Sequence, residues 1–225
     1  MGGRREKTAI GASEAASHFL NQTEWVMSRT SVWVLVVGGW LLAACGGPAE
    51  EPRDAAPPPS ADEPVAADLS RDALMQAAFR GALGTVQRAA EQGMDLDAAD
   101  GMGRTPLMMA AYDGHTEVVR FLLDQGAEVE TANREGRTPL IFAASGPNPE
   151  TVELLLQRGA DPNRADDAEG WTSLMFAAAE GHVAVVQALL DHGANPALED
   201  TDGETARAFA RQSGHTDVVD MLTQP

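Results

Sequence analysis

Cysteine and lysine are almost absent from this chain of 225 residues, with Cys45 and Lys7 as single examples. One cysteine excludes an internal disulfide framework and any zinc site built from several cysteines. Basic residues of all kinds are few: 16 Lys and Arg stand against 34 Asp and Glu, giving a formal charge of −18. Since a phosphate backbone needs a basic surface, this composition argues against a nucleic-acid partner. It argues equally against docking on anionic lipid by charge alone.

The uncharged apolar stretch from Ser31 to Ala44 is 14 residues long, whereas a membrane-spanning helix needs about 20 residues. Its length and the preceding Arg29 are typical of a secretory signal. The stretch ends in L-A-A-C at 42–45, which resembles a bacterial lipobox. In lipoproteins of this type the chain is cut before the cysteine, which then carries the lipid. The resemblance therefore implies lipidation of Cys45.

This signal predicts a protein of the bacterial cell envelope. Gly46, rather than Asp, follows the cysteine, which in Gram-negative lipoproteins favours the outer membrane, facing the periplasm. Residues 1–26 show no clear periodicity, while M-S-R-T at 27–30 would make an ordinary start of a signal. Two interpretations stay open: translation begins at Met27, or the segment before the apolar run is unusually long.

Residues 46–68 are rich in Pro, Ala and acidic residues and have no apolar period. Such a segment cannot bury enough surface to offset its ordering entropy, and its prolines favour an extended spacer. We therefore expect an N-terminal extension plus signal at 1–44, a lipidated cysteine and disordered linker at 45–69, and a folded domain at 70–225.

The rest of the chain repeats with a period of 33 or 34 residues. Threonines recur at Thr105, Thr138, Thr172 and Thr205, and glycines follow the same spacing. The matching strings are G-R-T-P-L-M-M-A-A-Y-D-G-H at 103–115, G-R-T-P-L-I-F-A-A at 136–144 and G-W-T-S-L-M-F-A-A-A-E-G-H at 170–182. At these residues the chain resembles the ankyrin repeat family. The resemblance implies an all-α solenoid of about five helix-turn-helix repeats with short β-hairpin loops: 70–102, 103–135, 136–169, 170–202 and 203–225.

Local chemistry accounts for the repeated string. Thr105 and Thr138 are good helix N-caps, and the prolines after them occupy the first helical position, where a missing N–H costs nothing. Small alanines follow at core spacing and let helices pack closely. Gly114, Gly181 and Gly214 are expected to end the first helix of their repeats in a left-handed conformation.

Residues that could carry chemistry are sparse. His115, His182 and His215 occupy the same position in three repeats, where the resemblance implies that the ring supports the turn between two helices. No Ser-His-Asp order and no phosphate-binding loop stand out. Acidic clusters at 166–169 and 199–202 could bind calcium weakly, but they lack the dense oxygen ligands of a dedicated loop, and solvated acidic hairpins are the alternative. We expect no enzyme, no cofactor and no metal.

In ankyrin proteins the ligand surface is the concave face, formed by the hairpin tips and the exposed ends of the first helices. Carried over by position, the resemblance implies these partner-binding residues: Arg104, Tyr112, Asp113, Arg134, Arg137, Glu169, Trp171 and Glu180. Tyr112 is the only tyrosine, and Trp171 is the only tryptophan after the signal. Interface hot spots are enriched in Trp, Tyr and Arg, so both rings are expected to point outward. The alternative is that Trp171 packs over the neighbouring, longer hairpin.

The predicted function is that of a membrane-anchored, monomeric interaction module that binds a protein partner on the concave face. The acidic tips predict a partner with a basic patch. The alternative is an inhibitor, immunity or accessory protein that regulates a periplasmic enzyme through the same surface.

Overall fold

A computed structural model describes residues 69–223 of the chain. The predicted signal, Cys45 and the linker up to residue 68 lie outside the described residues. Within residues 69–223 the chain forms ten helices and no strand, which confirms the all-α fold class. The helices are α1 Arg71–Phe79, α2 Leu83–Glu91, α3 Pro106–Tyr112, α4 Thr116–Asp124, α5 Pro139–Ala144, α6 Pro149–Gln157, α7 Ser173–Glu180, α8 Val183–Asp191, α9 Ala206–Ser213 and α10 Thr216–Met221.

The ten helices form five successive pairs that stack in two layers. The first helices of neighbouring pairs (α1, α3, α5, α7 and α9) pack on one another, and so do the second helices (α2, α4, α6, α8 and α10). No helix in the described part is long and apolar enough to cross a membrane. The loops between pairs contain only two isolated β-bridges, Ala165 to Thr172 and Glu199 to Thr205, so the expected β-hairpins are short turns rather than paired strands.

The start of each first helix is fixed by its own residues. Thr105, Thr138 and Thr172 each accept a hydrogen bond from the backbone N–H three residues later, at 3.3–3.4 Å. Pro106 and Pro139 occupy the first helical position, as predicted. An N-cap of this kind contributes about 1 kcal/mol to the stability of a helix.

The core is one continuous cluster that runs through all five pairs. Ala110, Ala143 and Ala177, in successive first helices, are at most 1% exposed, which is the close packing that small side chains permit. The predicted left-handed glycines are confirmed, since Gly181 has a φ of 75° at the end of α7 and Gly214 a φ of 81° at the end of α9.

Candidate functional site

One polar residue organises the loop before each of α3, α5, α7 and α9. It is Asp100, Asn133, Asp166 or Asp200, and a side-chain oxygen of each accepts backbone N–H groups of its own loop at 2.8–3.1 Å. This spacing of 33 or 34 residues is visible in the sequence. From the sequence, Asp166 and Asp200 are only members of the acidic clusters at 166–169 and 199–202, and a role as loop acceptor is not predicted. The loops are thereby held in one conformation, which gives the side chains at their tips fixed positions.

Neighbouring loops are also joined to one another through the backbone. The N–H of Arg134 donates to the carbonyl of Met102 at 3.1 Å, and the N–H of Asp167 donates to the carbonyl of Glu135 at 2.8 Å. The N–H of Thr201 makes the corresponding bond to a carbonyl of the preceding loop at 3.0 Å. The tips of four loops therefore form a connected row.

We use the name tip surface for the eight positions implied by the family resemblance: Arg104, Tyr112, Asp113, Arg134, Arg137, Glu169, Trp171 and Glu180. Two of the three arginines in this set, Arg104 and Arg137, form ion pairs with acids of the same chain. Nε and a terminal nitrogen of Arg104 lie 2.8 and 2.7 Å from Oδ2 of Asp100. Burial raises the pKa of Asp100, but this arginine and two backbone N–H groups outweigh burial and lower that pKa below its usual value.

Arg137 is more deeply buried than its predicted role in partner binding would require. Its side chain is only 16% exposed and pairs with Asp166 of the next loop at 3.1 Å and with Glu135 at 3.1 Å. The guanidinium also lies over the ring of Phe176, 5.2 Å from its centroid. This residue links the third helix pair to the fourth, because its partners come from both sides of that boundary.

The prediction that Trp171 points outward is wrong. The residue is 6% exposed, and its ring lies 4.3 Å from that of Phe209 in α9 and 5.0 Å from that of Phe176 in α7, measured between centroids. Burying a ring of this size between two helices contributes more than about 2 kcal/mol, which exposure at a loop tip would forgo. The alternative is closer to the structure: Trp171 packs, though against aromatic rings of its own and the following pair.

Tyr112 is half-buried at the end of α3. Its ring meets that of Phe142 edge to face, with centroids 6.5 Å apart. Burial raises the pKa of Tyr112, and the charges of Asp113 and Glu180 raise it further. Glu180 belongs to the pair after next, so the charge at the end of α7 is felt by Tyr112 at the end of α3.

The remaining members of the tip surface are exposed: Asp113, Arg134, Glu169 and Glu180. Further exposed acids lie beside these positions: Asp167 in the loop of Glu169, and Glu199 and Asp202 in the next loop, before α9. Six exposed carboxylates thus accompany one exposed arginine, and the surface is acidic.

The sequence predicted that the repeated histidines support the turn between two helices. In the structure each ring also connects its own helix pair to the preceding pair. The ring Nε2 of His115 donates to the carbonyl of Phe79 at 2.9 Å, and that of His215 donates to the carbonyl of Ala179 at 3.0 Å. His182 makes the corresponding contact at 3.3 Å. In each case the carbonyl belongs to the preceding helix pair. Within residues 69–223 no group of three or more His, Cys, Asp or Glu side chains is arranged to hold a metal ion.

Comparison with known families agrees with this architecture. A sequence-family model for ankyrin repeats, which comprises three copies of the repeat, matches residues 74–166 and 148–225, more than half of the chain. No curated protein matches the chain. The chain therefore belongs to the ankyrin repeat family, whose repeats generally mediate protein–protein interaction and are typically not enzymes.

Proposed function

We propose that this protein is a lipid-anchored interaction module of the bacterial envelope and that its tip surface binds a protein with a basic patch. One observation carries the proposal: the exposed side chains of the tip surface and its loops are acidic, with Arg134 the one exposed arginine among them. Charge complementarity across an interface accelerates association and selects the partner.

The charge balance of the described domain supports a basic partner. Residues 69–223 contain 25 Asp and Glu but only 11 Arg and no Lys. Several of these arginines are neutralised within the chain, among them Arg104 by Asp100 and Arg158 by Asp124 at 2.7 Å. A partner approaching the tips meets a negative potential that falls with salt concentration.

The N-terminal part of the sequence supports the anchored location. The apolar run and the L-A-A-C string at 42–45 fit a lipoprotein signal, and two or more acyl chains on one cysteine give stable anchoring. Pro-rich sequences such as that at 46–68 are typical of extended spacers, so we propose that this segment separates the repeats from the lipid surface.

The test is a comparison of charge-reversal variants of the lipidated full chain. A captured envelope protein is identified by mass spectrometry, purified, and its association rate and affinity for each variant are measured at two salt concentrations. Glu169→Lys with Glu180→Lys is expected to weaken binding at least tenfold and to reduce the salt dependence. Glu150→Lys with Glu153→Lys, which reverses two exposed acids on α6 outside the tip surface, is the control matched in charge.

Equal affinities of the tip-surface variant and the control would place the binding surface elsewhere. The same preparation separates two consequences of binding. If the partner is an enzyme, its activity with and without the protein distinguishes inhibition from tethering.

A further inference from the structure

Asp97 lies in the loop between α2 and α3, beside a cavity of about 310 Å³. Met94 and Asp97 line the cavity from the first helix pair, and Gln125, Gly126 and Ala127 line it from the second. The Oδ1 atom of Asp97 is buried and has no hydrogen-bond partner. A buried carboxylate oxygen without a partner is costly.

The equivalent position two repeats later has asparagine, and there both side-chain atoms are used. Nδ2 of Asn163 donates to the carbonyl of Gly193 at 3.1 Å, and Oδ1 of Asn163 accepts from the N–H of Asn195 at 2.7 Å. These two bonds join the third helix pair to the fourth. Asn163 therefore displays the arrangement that the position forms when its side chain can both donate and accept.

Asp97 lies at the equivalent position of the first repeat. The backbone N–H of Glu128, the counterpart of Asn195 in the repeat pattern, acts on its carboxylate and lowers its pKa. The unpartnered Oδ1 takes the place of Nδ2 of Asn163, and the residue that matches the acceptor of Asn163 is Gly126, which lines the same cavity as Asp97. An ionised carboxylate has no hydrogen to donate, so a bond to the carbonyl of Gly126 requires a proton.

The charges that act on Asp97 are all negative. Burial is the largest influence raising the pKa of Asp97, and the carboxylates of Asp95 and Glu128 raise it further, while the backbone N–H of Glu128 partly offsets them. The helices beside the cavity contribute the uncharged Ala90 and Gln125. The surroundings therefore favour uptake of a proton as the pH falls.

We propose that Asp97 is a proton-dependent latch between the first and second helix pairs. On acidification its carboxyl takes a proton from solvent and donates it in a hydrogen bond to the carbonyl of Gly126; on ionisation this bond is lost. Because the pKa in the folded state lies above the unfolded value, the added stability is complete at low pH and disappears as the pH rises through the folded-state pKa. The first pair, which covers one end of the core, is held less firmly when Asp97 is ionised.

Hydrogen exchange of the full chain at a series of pH values tests the latch, with protection compared after correction for intrinsic exchange. In the unmodified protein the protection of α1 and α2 relative to α9 and α10 is expected to rise roughly fivefold on acidification, the effect of one hydrogen bond. Asp97→Asn supplies the donor at every pH. It should therefore show the higher protection at pH 7 and lose the pH dependence.

Asn163→Asp is the reciprocal variant, since it removes the donor at the equivalent position. It is expected to lower protection of α6 and α8 at pH 7 and to recover part of it at lower pH. The proposal is overturned if Asp97→Asn keeps the pH dependence of the unmodified protein, or if it exchanges faster at pH 7. These readouts do not involve the protein partner, so they are independent of the proposed function.

Discussion

Asp166→Ala removes the acceptor that holds the loop before α7 together. The carboxylate of Asp166 is fully buried. It accepts from the backbone N–H groups of Glu169, Gly170 and Trp171 at 3.0–3.1 Å. It also pairs with Arg137 of the preceding loop at 3.1 Å. Alanine leaves three donors and one guanidinium without this acceptor.

The cost can be estimated from these contacts. Removing one partner of a buried ion pair costs about 3–5 kcal/mol. The lower end applies, because Arg137 keeps its contact with Glu135 and is partly exposed. A loss of about 3 kcal/mol lowers the melting temperature of a domain of roughly 150 residues by about 6–12 °C. Thermal unfolding of the full chain at pH 7, followed by circular dichroism, measures this shift.

Two control variants separate the causes of the shift. Asp166→Asn keeps an oxygen acceptor for the backbone N–H groups, as Asn133 does in the preceding loop, and loses the charge opposite Arg137. We expect it to fall between the parent and the alanine variant. Asp167→Ala removes an exposed neighbour and should change stability by less than about 0.5 kcal/mol. If Asp166→Ala unfolds at the same temperature as Asp167→Ala, the role assigned to Asp166 is refuted.

Three further outcomes are expected. Ala143→Leu and Ala177→Leu overpack positions that are at most 1% exposed, so each should lose about 1–3 kcal/mol in thermal unfolding; unchanged midpoints would contradict the close helix stacking. Cys45→Ser should abolish labelling of the protein by radioactive palmitate in cells, and equal labelling of the variant would end the anchor proposal. Tyr112→Ala should weaken partner binding by at least about 1 kcal/mol in calorimetry, with Tyr112→Phe as the control for the ring; unchanged affinity of the alanine variant would remove Tyr112 from the interface.

The helical scaffold could be predicted because its determinants are local in sequence. A threonine followed by proline starts a helix through contacts within one turn, as at Thr105 and Thr138. The period of 33 or 34 residues then repeats that local solution along the chain. Stacking in two layers follows, since no single pair can bury its own apolar face.

The directions of Trp171 and Arg137 could not be predicted in the same way. Each is fixed by a residue outside its own loop: Phe209 of the following repeat for the tryptophan, and Asp166, at the far end of the same repeat, for the arginine. A position that is variable within the repeat pattern can point outward or fill a gap against the next pair. The direction of the side chain depends on which residues of the neighbouring pair it can contact, and the repeat period does not reveal these residues.

The exposed carboxylates of the tip surface were easier to predict. A carboxylate such as Glu169 or Glu180 is not stabilised by burial without a partner, so its chemistry alone favours exposure to solvent. The role of Asp97 could not be predicted in this way. Asp97 has a carboxylate where Asn163 has an amide, and the missing donor becomes apparent only when the two loops are compared in the structure.

The backbone bonds between successive loops have a consequence for the thermodynamics of binding. The N–H of Asp167 is bonded to the carbonyl of Glu135, and the N–H of Thr201 to that of Glu169. Loops joined by these hydrogen bonds cannot move independently, so a partner that contacts several tips does not have to order each loop separately. Less conformational entropy is then lost on association. The same contacts therefore give a more favourable binding free energy than they would on independently moving loops.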